Sequence, residues 1–446
     1  MSFMLLGILN SQAAGGALQY WLSTLGGSNR DFGKSVVTDS DGNSYTCGYS
    51  NNMGAGARDF LIAKYNLIGE LQWQRTLGQS SDDEGFGIDI DSYNNLYVAG
   101  YGYFGSYPSG SNKFVIAKYN SSGTLQWQRS FGGSSSDMGH GISVDSANDV
   151  FIIGTTLSTG AGSDDLLLAK YNSSGTLQWQ RSLGGLSYEY GNAIDSDSNN
   201  NVYVLGNTGS TGGGGADFLL AKYNSSGTLQ WQRSLGGVGQ DEGFGIAIDS
   251  TDSVYITGRS TSVGSGGNDF LIAKYESSGT LNWQRVIGGG SSDEAYAIAL
   301  DSSDNAYLIG YTLSDGEGAE DFFIVKYSNT GVLQWQRVLG GTNIDIGHGI
   351  TIDSNNDMHL YGYTLSTGFA NYSDLQARLP SDGSLTGTYV LDGVNIVYAA
   401  SALTAATSAL TSATSSLTSS TSSLSSATSS LTSSSSGLTQ YLTGIG

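Results

Sequence analysis

The 446-residue chain is poor in several residue types, and each shortage excludes a class of protein. A single cysteine, Cys47, rules out a disulfide framework and a cysteine-based zinc cluster. Only two prolines are present, which excludes a proline-rich disordered chain and, despite 66 glycines, a collagen. The 18 basic residues face 39 acidic ones, a net charge of −21, which argues against nucleic acid and anionic membrane surfaces as partners. No run of about 20 apolar residues occurs, so the sequence predicts no membrane span.

Residues 1–17 form an apolar segment at the N-terminus. No lysine or arginine precedes the apolar run at 1–9, so the charged region of a signal peptide is missing. We therefore predict an uncleaved docking segment, with cleavage after Ala13 as the alternative.

The seven tryptophans divide the chain into repeats. Their spacings are 52, 54, 52, 52, 52 and 52 residues, from Trp21 through Trp73, Trp127, Trp179, Trp231 and Trp283 to Trp335. Each repeat holds four short apolar segments, as at 246–249, 254–258, 269–275 and 281–287, separated by turns rich in Ser, Asn, Asp and Gly. This period and this order of elements predict an all-β fold, a seven-bladed propeller of four-stranded blades over residues 18–391.

The fourth-strand motif occurs once more than one ring of seven blades needs. One copy, at 18–25, carries Trp21 and precedes every inner strand, and another, at 384–391, follows the last third strand and lacks the tryptophan. The sequence leaves open which copy completes the seventh blade.

The repeat unit resembles a known family. Its motifs are Gly-Ile-x-x-Asp-Ser-x-x-Asn-x-Tyr-x-x-Gly, Asp-Phe-Leu-Ala-Lys-Tyr-Asn and Gly-x-Leu-x-Trp, and over 18–391 they resemble the bacterial seven-bladed β-propeller repeat (SBBP) family. The resemblance implies an extracellular or surface setting and a binding role, without shared catalytic residues. Separately, residues 1–16 are similar to the openings of virion structural proteins from marine tailed phages, which implies location in a virion and virion proteins as partners.

Residues 392–446 have a different composition. Residues 401–436 contain only Ser, Ala, Leu and Thr, and no charged residue follows Asp392. A leucine recurs every seven residues, at Leu403, Leu410, Leu417, Leu424, Leu431 and Leu438. A strict period of seven predicts a coiled-coil helix that forms a homo-oligomer through 401–442. The virion resemblance favours a trimer, and a disordered Ser/Thr linker is the alternative.

One position changes its chemistry from blade to blade and supplies candidate binding residues. An acidic residue precedes each inner strand, at Asp31, Asp83, Asp137, Glu189, Asp241, Asp293 and Asp345. Three residues after it stand Lys34, Phe86, His140, Asn192, Phe244, Tyr296 and His348. Aromatic faces stack on sugar rings and polar tips bind hydroxyls, so these residues predict a sugar-binding lining at the channel mouth. Unconstrained surface variation is the alternative.

The loop that accounts for the 54-residue spacing is a second candidate contact site. It holds Tyr101, Tyr103, Phe104 and Tyr107, where equivalent loops contain mostly Gly, Ser and Thr. Clustered aromatic side chains on a loop predict contact with a partner, and packing against a neighbouring blade is the alternative.

The sequence predicts no catalytic residue, cofactor or metal site. His140 and His348 have no evident Ser or Cys partner for nucleophilic catalysis. The repeated acidic residues could ring a Ca²⁺ ion, but their recurrence in every blade favours capping of their own loops. The repeated Lys and Arg residues are expected to stack on aromatic rings and to pair with carboxylates.

Together these features predict a non-enzymatic phage virion structural protein, fibre- or appendage-like, that binds a host surface glycan. One alternative is a secreted or cell-surface bacterial lectin-like propeller. Another is a capsid or tail decoration protein without receptor contact.

Overall fold

The computed structural model describes residues 20–51, 54, 56–105, 110–367, 371–408, 411–414, 418–421, 425–428, 432–435 and 439–445. The docking segment predicted at 1–17 lies outside these residues. Within the described part, the ordered elements are all β-strands, and no helix is long and apolar enough to cross a membrane.

Twenty-eight strands build seven four-stranded blades around a central channel. They are β1 (Tyr20–Gly26), β2 (Asp31–Thr38), β3 (Ser44–Asn51), β4 (Arg58–Tyr65), β5 (Leu71–Gly78), β6 (Asp83–Ile90), β7 (Leu96–Phe104), β8 (Ser111–Tyr119), β9 (Leu125–Gly132), β10 (Asp137–Val144), β11 (Val150–Thr156), β12 (Asp165–Tyr171), β13 (Leu177–Gly184), β14 (Glu189–Ser196), β15 (Val202–Thr208), β16 (Asp217–Tyr223), β17 (Leu229–Gly236), β18 (Asp241–Ile248), β19 (Val254–Ser260), β20 (Asp269–Tyr275), β21 (Leu281–Gly288), β22 (Asp293–Leu300), β23 (Ala306–Thr312), β24 (Asp321–Tyr327), β25 (Leu333–Gly340), β26 (Asp345–Ile352), β27 (Asp357–Thr364) and β28 (Ser373–Pro380). The predicted seven-bladed propeller of four-stranded blades is confirmed.

Each blade owes its shape to the apolar middle strands and a repeated turn. Every residue of β15 and β20 is buried, because adjacent blades cover both faces of these strands. In the turn after β6, Asp91 Oδ1 accepts hydrogen bonds from the N–H groups of Tyr93 and Asn95, both at 2.9 Å. The carboxylates at this turn therefore close the hairpin between the first two strands.

A Trp-x-Arg pair on six of the seven outer strands, all except β1, links one blade to the next. Trp73 Nε1 donates to Ser121 O at 3.2 Å, and Arg75 Nε donates to Gly123 O at 2.9 Å, both in the next blade. The Arg75 guanidinium also lies 5.4 Å from the centre of the Trp73 ring. The predicted stacking of these arginines on aromatic rings is confirmed, whereas their hydrogen bonds go to backbone carbonyls.

The N-terminal copy of the fourth-strand motif closes the ring. The seventh blade has the order β26-β27-β28-β1, with Trp21 opposite Arg378. The C-terminal copy forms part of a hairpin, β29 (Gly387–Leu391) and β30 (Val394–Ala400), and β30 adds to β25 at the edge of the sixth blade.

The tail is where the structure departs from the predicted helix. Its strands are β31 (Thr404–Thr407), β32 (Thr411–Thr414), β33 (Thr418–Thr421), β34 (Ser425–Thr428), β35 (Thr432–Ser435) and β36 (Thr439–Ile445). They pair in turn with β21, β17, β13, β9, β5 and β1. The coiled-coil prediction is wrong for these described segments, which are antiparallel fifth strands.

The period of seven has a different origin from a helical seam. Successive strands of the tail begin seven residues apart, from Thr404 to Thr439, and each pairs with the outer strand of a different blade. The tail therefore passes the blades in the reverse of chain order, one heptad per blade. Pairing with strands satisfies the backbone of this Ser/Thr-rich segment, whose residues are mediocre helix formers.

Candidate functional site

The variable residues of the inner strands are all β-bulge residues. In β6 the pairing with β7 shifts between Gly85 and Gly87, which leaves Phe86 unpaired, and the same shift isolates His140 between Gly139 and Gly141. A bulge leaves one residue outside the ladder and redirects its side chain. All seven variable residues line the channel: Lys34, Phe86, His140, Asn192, Phe244, Tyr296 and His348.

The channel is large enough for a small ligand. Its volume is about 660 Å³, and residues from all seven inner strands line it. Ligand cavities in proteins commonly measure about 300–1,000 Å³.

Aromatic side chains form a continuous set of contacts along one side of the channel mouth. We call the aromatic arc the following nine residues: Phe244, Tyr296, Tyr311, His348, Tyr363, Phe32, Tyr49, Phe86 and Tyr101. Neighbouring ring centres lie between 4.5 Å, for Tyr296 and His348, and 6.3 Å, for Tyr49 and Phe86. The other pairs are Phe244–Tyr296, Tyr296–Tyr311, His348–Tyr363, Phe32–Tyr363, Phe32–Tyr49 and Phe86–Tyr101. The arc runs over blades five, six, seven, one and two.

The structure divides the aromatic residues of the long loop. Tyr101 stacks on Phe86 with ring centres 5.6 Å apart and so joins the arc. Phe104 packs against the core between the first two blades, and the Tyr103 N–H donates to Asp82 O at 3.2 Å. Tyr107 lies outside the described residues. The loop therefore contributes Tyr101 to the mouth, while Phe104 has a packing role.

Two polar bulge residues form hydrogen bonds with the neighbouring inner strand. The ring nitrogen His140 Nδ1 lies 2.9 Å from Gly191 O, and Asn192 Nδ2 donates to Gly243 O at 2.8 Å. Burial lowers the pKa of His140, so its ring is neutral at pH 7. These side chains hold adjacent blades together at the mouth.

Carboxylates near the arc form ion pairs with arginines. Glu84 forms an ion pair with Arg58, and Arg259 contacts both Glu242 at 2.6 Å and Glu294 at 2.7 Å. The hydroxyl of Tyr296 donates to Glu294 Oε2 at 3.1 Å. The charges at the rim are thus held in fixed positions around the aromatic rings.

Sequence reasoning missed Phe32 on β2 and three members of the arc that lie on second strands. Tyr49, Tyr311 and Tyr363 each follow the glycine of the second-strand motif, and this position varies between blades as the bulge position does. The pairing of the first two strands brings the two positions to the same mouth. Variation at a second fixed position of the repeat was the available signal.

Two half-buried carboxylates that line the channel were also missed. Asp89 Oδ2 accepts from the Val144 N–H at 2.6 Å, and Asp195 Oδ2 accepts from the Ile248 N–H at 2.9 Å. Burial raises the pKa of Asp89 to about 7 and that of Asp195 to about 6. Each also accepts the N–H of the following residue at Oδ1, so one oxygen joins the adjacent inner strand and the other binds within its own strand.

The acidic residues that precede the inner strands cap their loops, as the repeat predicts. Asp241 Oδ2 accepts from the Gly237 N–H at 2.8 Å and from Ser262 Oγ at 2.7 Å. Asp241 is fully buried. Over the described ranges, no group of three or more His, Cys, Asp or Glu side chains is arranged to hold a metal ion.

A family comparison supports the resemblance seen in the repeats. The sequence model of the beta-propeller repeat (SBBP) matches residues 21–53 and 282–317. Both stretches contain repeat motifs of the propeller.

Two curated proteins are similar to parts of the chain. An uncharacterised WD repeat-containing protein of Acanthamoeba polyphaga mimivirus is 25% identical over 238 residues, which is 48% of this chain and 15% of the viral protein. The regulatory protein FlaEY of Caulobacter vibrioides is 31% identical over 119 residues, 24% of this chain and 12% of that protein. The matched stretches thus span well under a quarter of either relative.

Several solved structures align with most of the chain at low sequence identity. The polysaccharide lyase Uly1 aligns with a TM-score of 0.47 and 9% identity, covering 78% of this chain and 90% of the lyase. Sqt1 from Chaetomium thermophilum aligns with a TM-score of 0.43 and 8% identity, covering 85% and 100%. At these scores the likenesses carry no argument about activity.

Proposed function

We propose that this β-propeller is a non-enzymatic glycan-binding protein whose ligand binds at the channel mouth. The observation that carries the proposal is the aromatic arc, whose rings lie in mutual contact over five adjacent blades. The arc lies beside a channel of about 660 Å³.

The chemistry of the mouth suits a sugar. Aromatic faces stack on the apolar faces of pyranose rings, and fixed polar groups bind the hydroxyls at the ring edges. Tyr296 supplies a ring and a hydroxyl that already bonds Glu294, while Glu294 also contacts Arg259. This mixture of stacking faces and charged, pre-positioned groups favours a carbohydrate over a purely apolar ligand.

The state of the carboxylates supports binding without catalysis. Hydrolysis of a glycoside ordinarily requires two carboxyl groups that can act as acid and as base or nucleophile. The rim residues Glu84 and Glu294 are bound by arginines. The channel residues Asp89 and Asp195 each accept two backbone N–H groups.

A glycan array probed with the full chain tests the proposal. Calorimetry with any glycan identified then compares wild type with Tyr296→Ala and with Tyr93→Ala. Tyr93 is the matched control because it is 77% exposed on the turn after β6, away from the arc.

One stacking ring contributes about 0.5–1.5 kcal/mol. We therefore expect Tyr296→Ala to weaken binding by about two- to tenfold and Tyr93→Ala to leave it unchanged. Equal loss in both variants, or no glycan bound at all, would overturn the proposal. Release of reducing ends from a bound glycan would overturn its non-enzymatic part.

Our proposal for where the protein acts depends on N-terminal residues outside the described part. We propose a fibre- or appendage-like virion protein that contacts a host surface glycan, because residues 1–16 are similar to phage virion proteins. Mass spectrometry of the size-fractionated native source tests this. Recovery in virus-sized particles with residues 1–13 retained is expected, whereas recovery in the envelope or medium starting at Ala14 would favour a secreted bacterial propeller.

The remaining alternative is a virion decoration protein without receptor contact. Host attachment by particles that carry Phe86→Ala and Tyr296→Ala distinguishes it. Phe104 is unsuitable for this experiment because it packs against the core, so its loss would also affect folding. Unchanged attachment by the double variant would favour decoration.

A further inference from the structure

Lys34 differs from every other lysine that the structure describes. The other seven, from Lys64 to Lys326, each have a carboxylate oxygen within 4.0 Å of the ammonium nitrogen. Lys34 is the bulge residue of the first blade, and its Nζ lies 3.2 Å from His348 Nε2. Among the residues that the structure describes, no carboxylate is in ion-pair contact with this ammonium group at the channel mouth.

The histidine beside Lys34 is uncharged, so it neither adds to the positive charge of Lys34 nor balances it. Burial, together with the positive charge of Lys34, lowers the pKa of His348 well below its usual value. His348 is neutral at pH 7, and its Nε2 accepts a hydrogen bond from the Lys34 ammonium. One of the three ammonium protons is thus used within the protein.

The two carboxylates that attract Lys34 electrostatically, Glu84 and Asp374, lie beyond ion-pair distance and have other partners. Glu84 is paired with Arg58. Asp374 accepts a hydrogen bond from Tyr361, and burial raises its pKa well above the usual range, which disfavours its charged form. In a chain of net charge −21, Lys34 leaves a local positive charge at the mouth.

Aromatic rings surround this charge. Lys34 Nζ lies 5.9 Å from the ring centre of Tyr49, 6.0 Å from that of Phe86 and 5.7 Å from that of Tyr363. All three rings belong to the aromatic arc. Burial lowers the pKa of Lys34 to about 8, so the side chain is still mostly protonated at pH 7.

We infer that the channel mouth selects an acidic glycan, with a carboxylate or sulfate group of the sugar bound by Lys34 Nζ and the sugar ring packed on the arc. This inference rests on the proposed glycan binding and adds the charge class of the ligand. An anion would supply the counter-charge that the protein omits here, in a partly desolvated site where an ion pair is stronger than in bulk water.

Matched pairs of sugars separate charge from shape. Calorimetry with the full chain compares hexagalacturonate with its fully methyl-esterified form, and dextran sulfate oligomers with unmodified dextran oligomers. We expect at least tenfold tighter binding of the charged member in one pair or both. The pair that responds identifies a carboxylate or a sulfate as the bound group.

Substitutions at one position complete the test. Lys34→Gln is expected to remove the preference for the charged sugar, and Lys34→Arg to retain most of it. Lys222→Gln is the control, because it removes one positive charge from a lysine already paired with Asp197 at 3.1 Å. Thermal melting verifies that each variant is folded.

The outcomes distinguish this inference from the proposed function. If neutral and charged sugars bind equally and Tyr296→Ala weakens both, glycan binding stands and the charge selection is wrong. If Lys34→Gln and Lys222→Gln reduce the preference equally, general electrostatic attraction explains it and the assignment to Lys34 is wrong. If no sugar binds, both proposals fail.

Discussion

Trp21 in β1 lies directly opposite Arg378 in β28, so the first strand of the described chain completes the last blade. Trp21 is fully buried, its Nε1 donates to Leu67 O in the first blade at 3.2 Å, and its ring meets that of His359 edge to face. The junction between the two ends of the ring is thus made by a side chain with hydrogen-bonding and packing partners on both sides.

We expect Trp21→Ala to reduce the free energy of unfolding by about 3–5 kcal/mol, because it leaves a cavity at this junction. Urea denaturation measures the loss. Trp127→Ala, at the same motif position in the second blade, is the control and is expected to cost less because its ring is only half-buried. Equal losses would contradict the special role of the junction.

The buried charges beside this junction make a second prediction. Arg378 Nη2 lies 2.9 Å from Asp353 and 3.0 Å from Asp357, and Arg378 is fully buried. Arg378→Met leaves two carboxylates without their cation, which we expect to cost about 3–5 kcal/mol of unfolding free energy. Lys326→Met, at the equivalent position of blade six, is expected to cost less, since water reaches this lysine. A smaller loss for Arg378→Met would refute the prediction.

Removal of residues 401–446 tests the strand arrangement of the tail. β36 pairs with β1 from Tyr20 to Gly26, so its loss exposes one edge of the strand that closes the ring. We expect a lower melting temperature and faster proteolysis near Tyr20, with the propeller retained. The circular dichroism difference between full and shortened chains should lack minima at about 208 and 222 nm, whereas a helical difference spectrum would restore the coiled-coil interpretation. Light scattering of both proteins tests the predicted homo-oligomer.

The contact between Gly123 and Trp73 makes a fourth prediction. Gly123 has φ of 75°, and a Cβ there would lie 2.8 Å from Trp73 Cδ2, whereas at Gly393, with φ of 79°, it would meet nothing within 4 Å. Each alanine variant carries about 1–2 kcal/mol of backbone strain. We expect Gly123→Ala to cost at least about 1 kcal/mol more than Gly393→Ala, because the tryptophan must also move. Equal urea midpoints would show that the ring yields freely.

Buried carboxylates predict how stability depends on pH. Burial raises the pKa values of Asp83, Asp89 and Asp269 to about 7. Between about pH 4 and 7 the folded protein therefore holds protons that the unfolded chain releases, and the free energy of unfolding falls as pH rises. We expect a lower urea midpoint at pH 8 than at pH 5, and a midpoint that is higher at pH 8 would contradict this.

One carboxylate acts in the opposite sense at lower pH. Burial alone would raise the pKa of Asp353, but hydrogen bonds from His359 and the Asp357 N–H, with the charge of Arg378, hold it well below the usual range. Its stabilising contribution is lost as pH falls below about 4. Stability should therefore decline on both sides of a maximum between about pH 4 and 6.

The repeats alone identified many residues of the candidate site, but not which residues contact one another there. The change of chemistry at Phe86, Tyr296 and His348 marked the position that became the bulge in every blade. The contacts of these residues with Tyr49 and Tyr363 depend on strand register, which the repeats do not state. The missing counter-ion of Lys34 could not be predicted, because it depends on which partners Glu84 and Asp374 take.

The sequence alone determined the number of blades, the four strands in each and the turns between them. These follow from local chemistry repeated every 52 residues, or 54 in one case: apolar strands buried on both faces, carboxylates that close turns, and Trp-x-Arg pairs that contact the next blade. Only the tertiary structure decided that Trp21 closes the ring and that the seven-residue period places strands such as β31 on successive blades. It also decided that Lys34 has no carboxylate within ion-pair distance in the described part of the chain. The reason is physical. A sequence period shows that the same local environment recurs, but ring closure and strand pairing decide which distant segments of the chain come into contact.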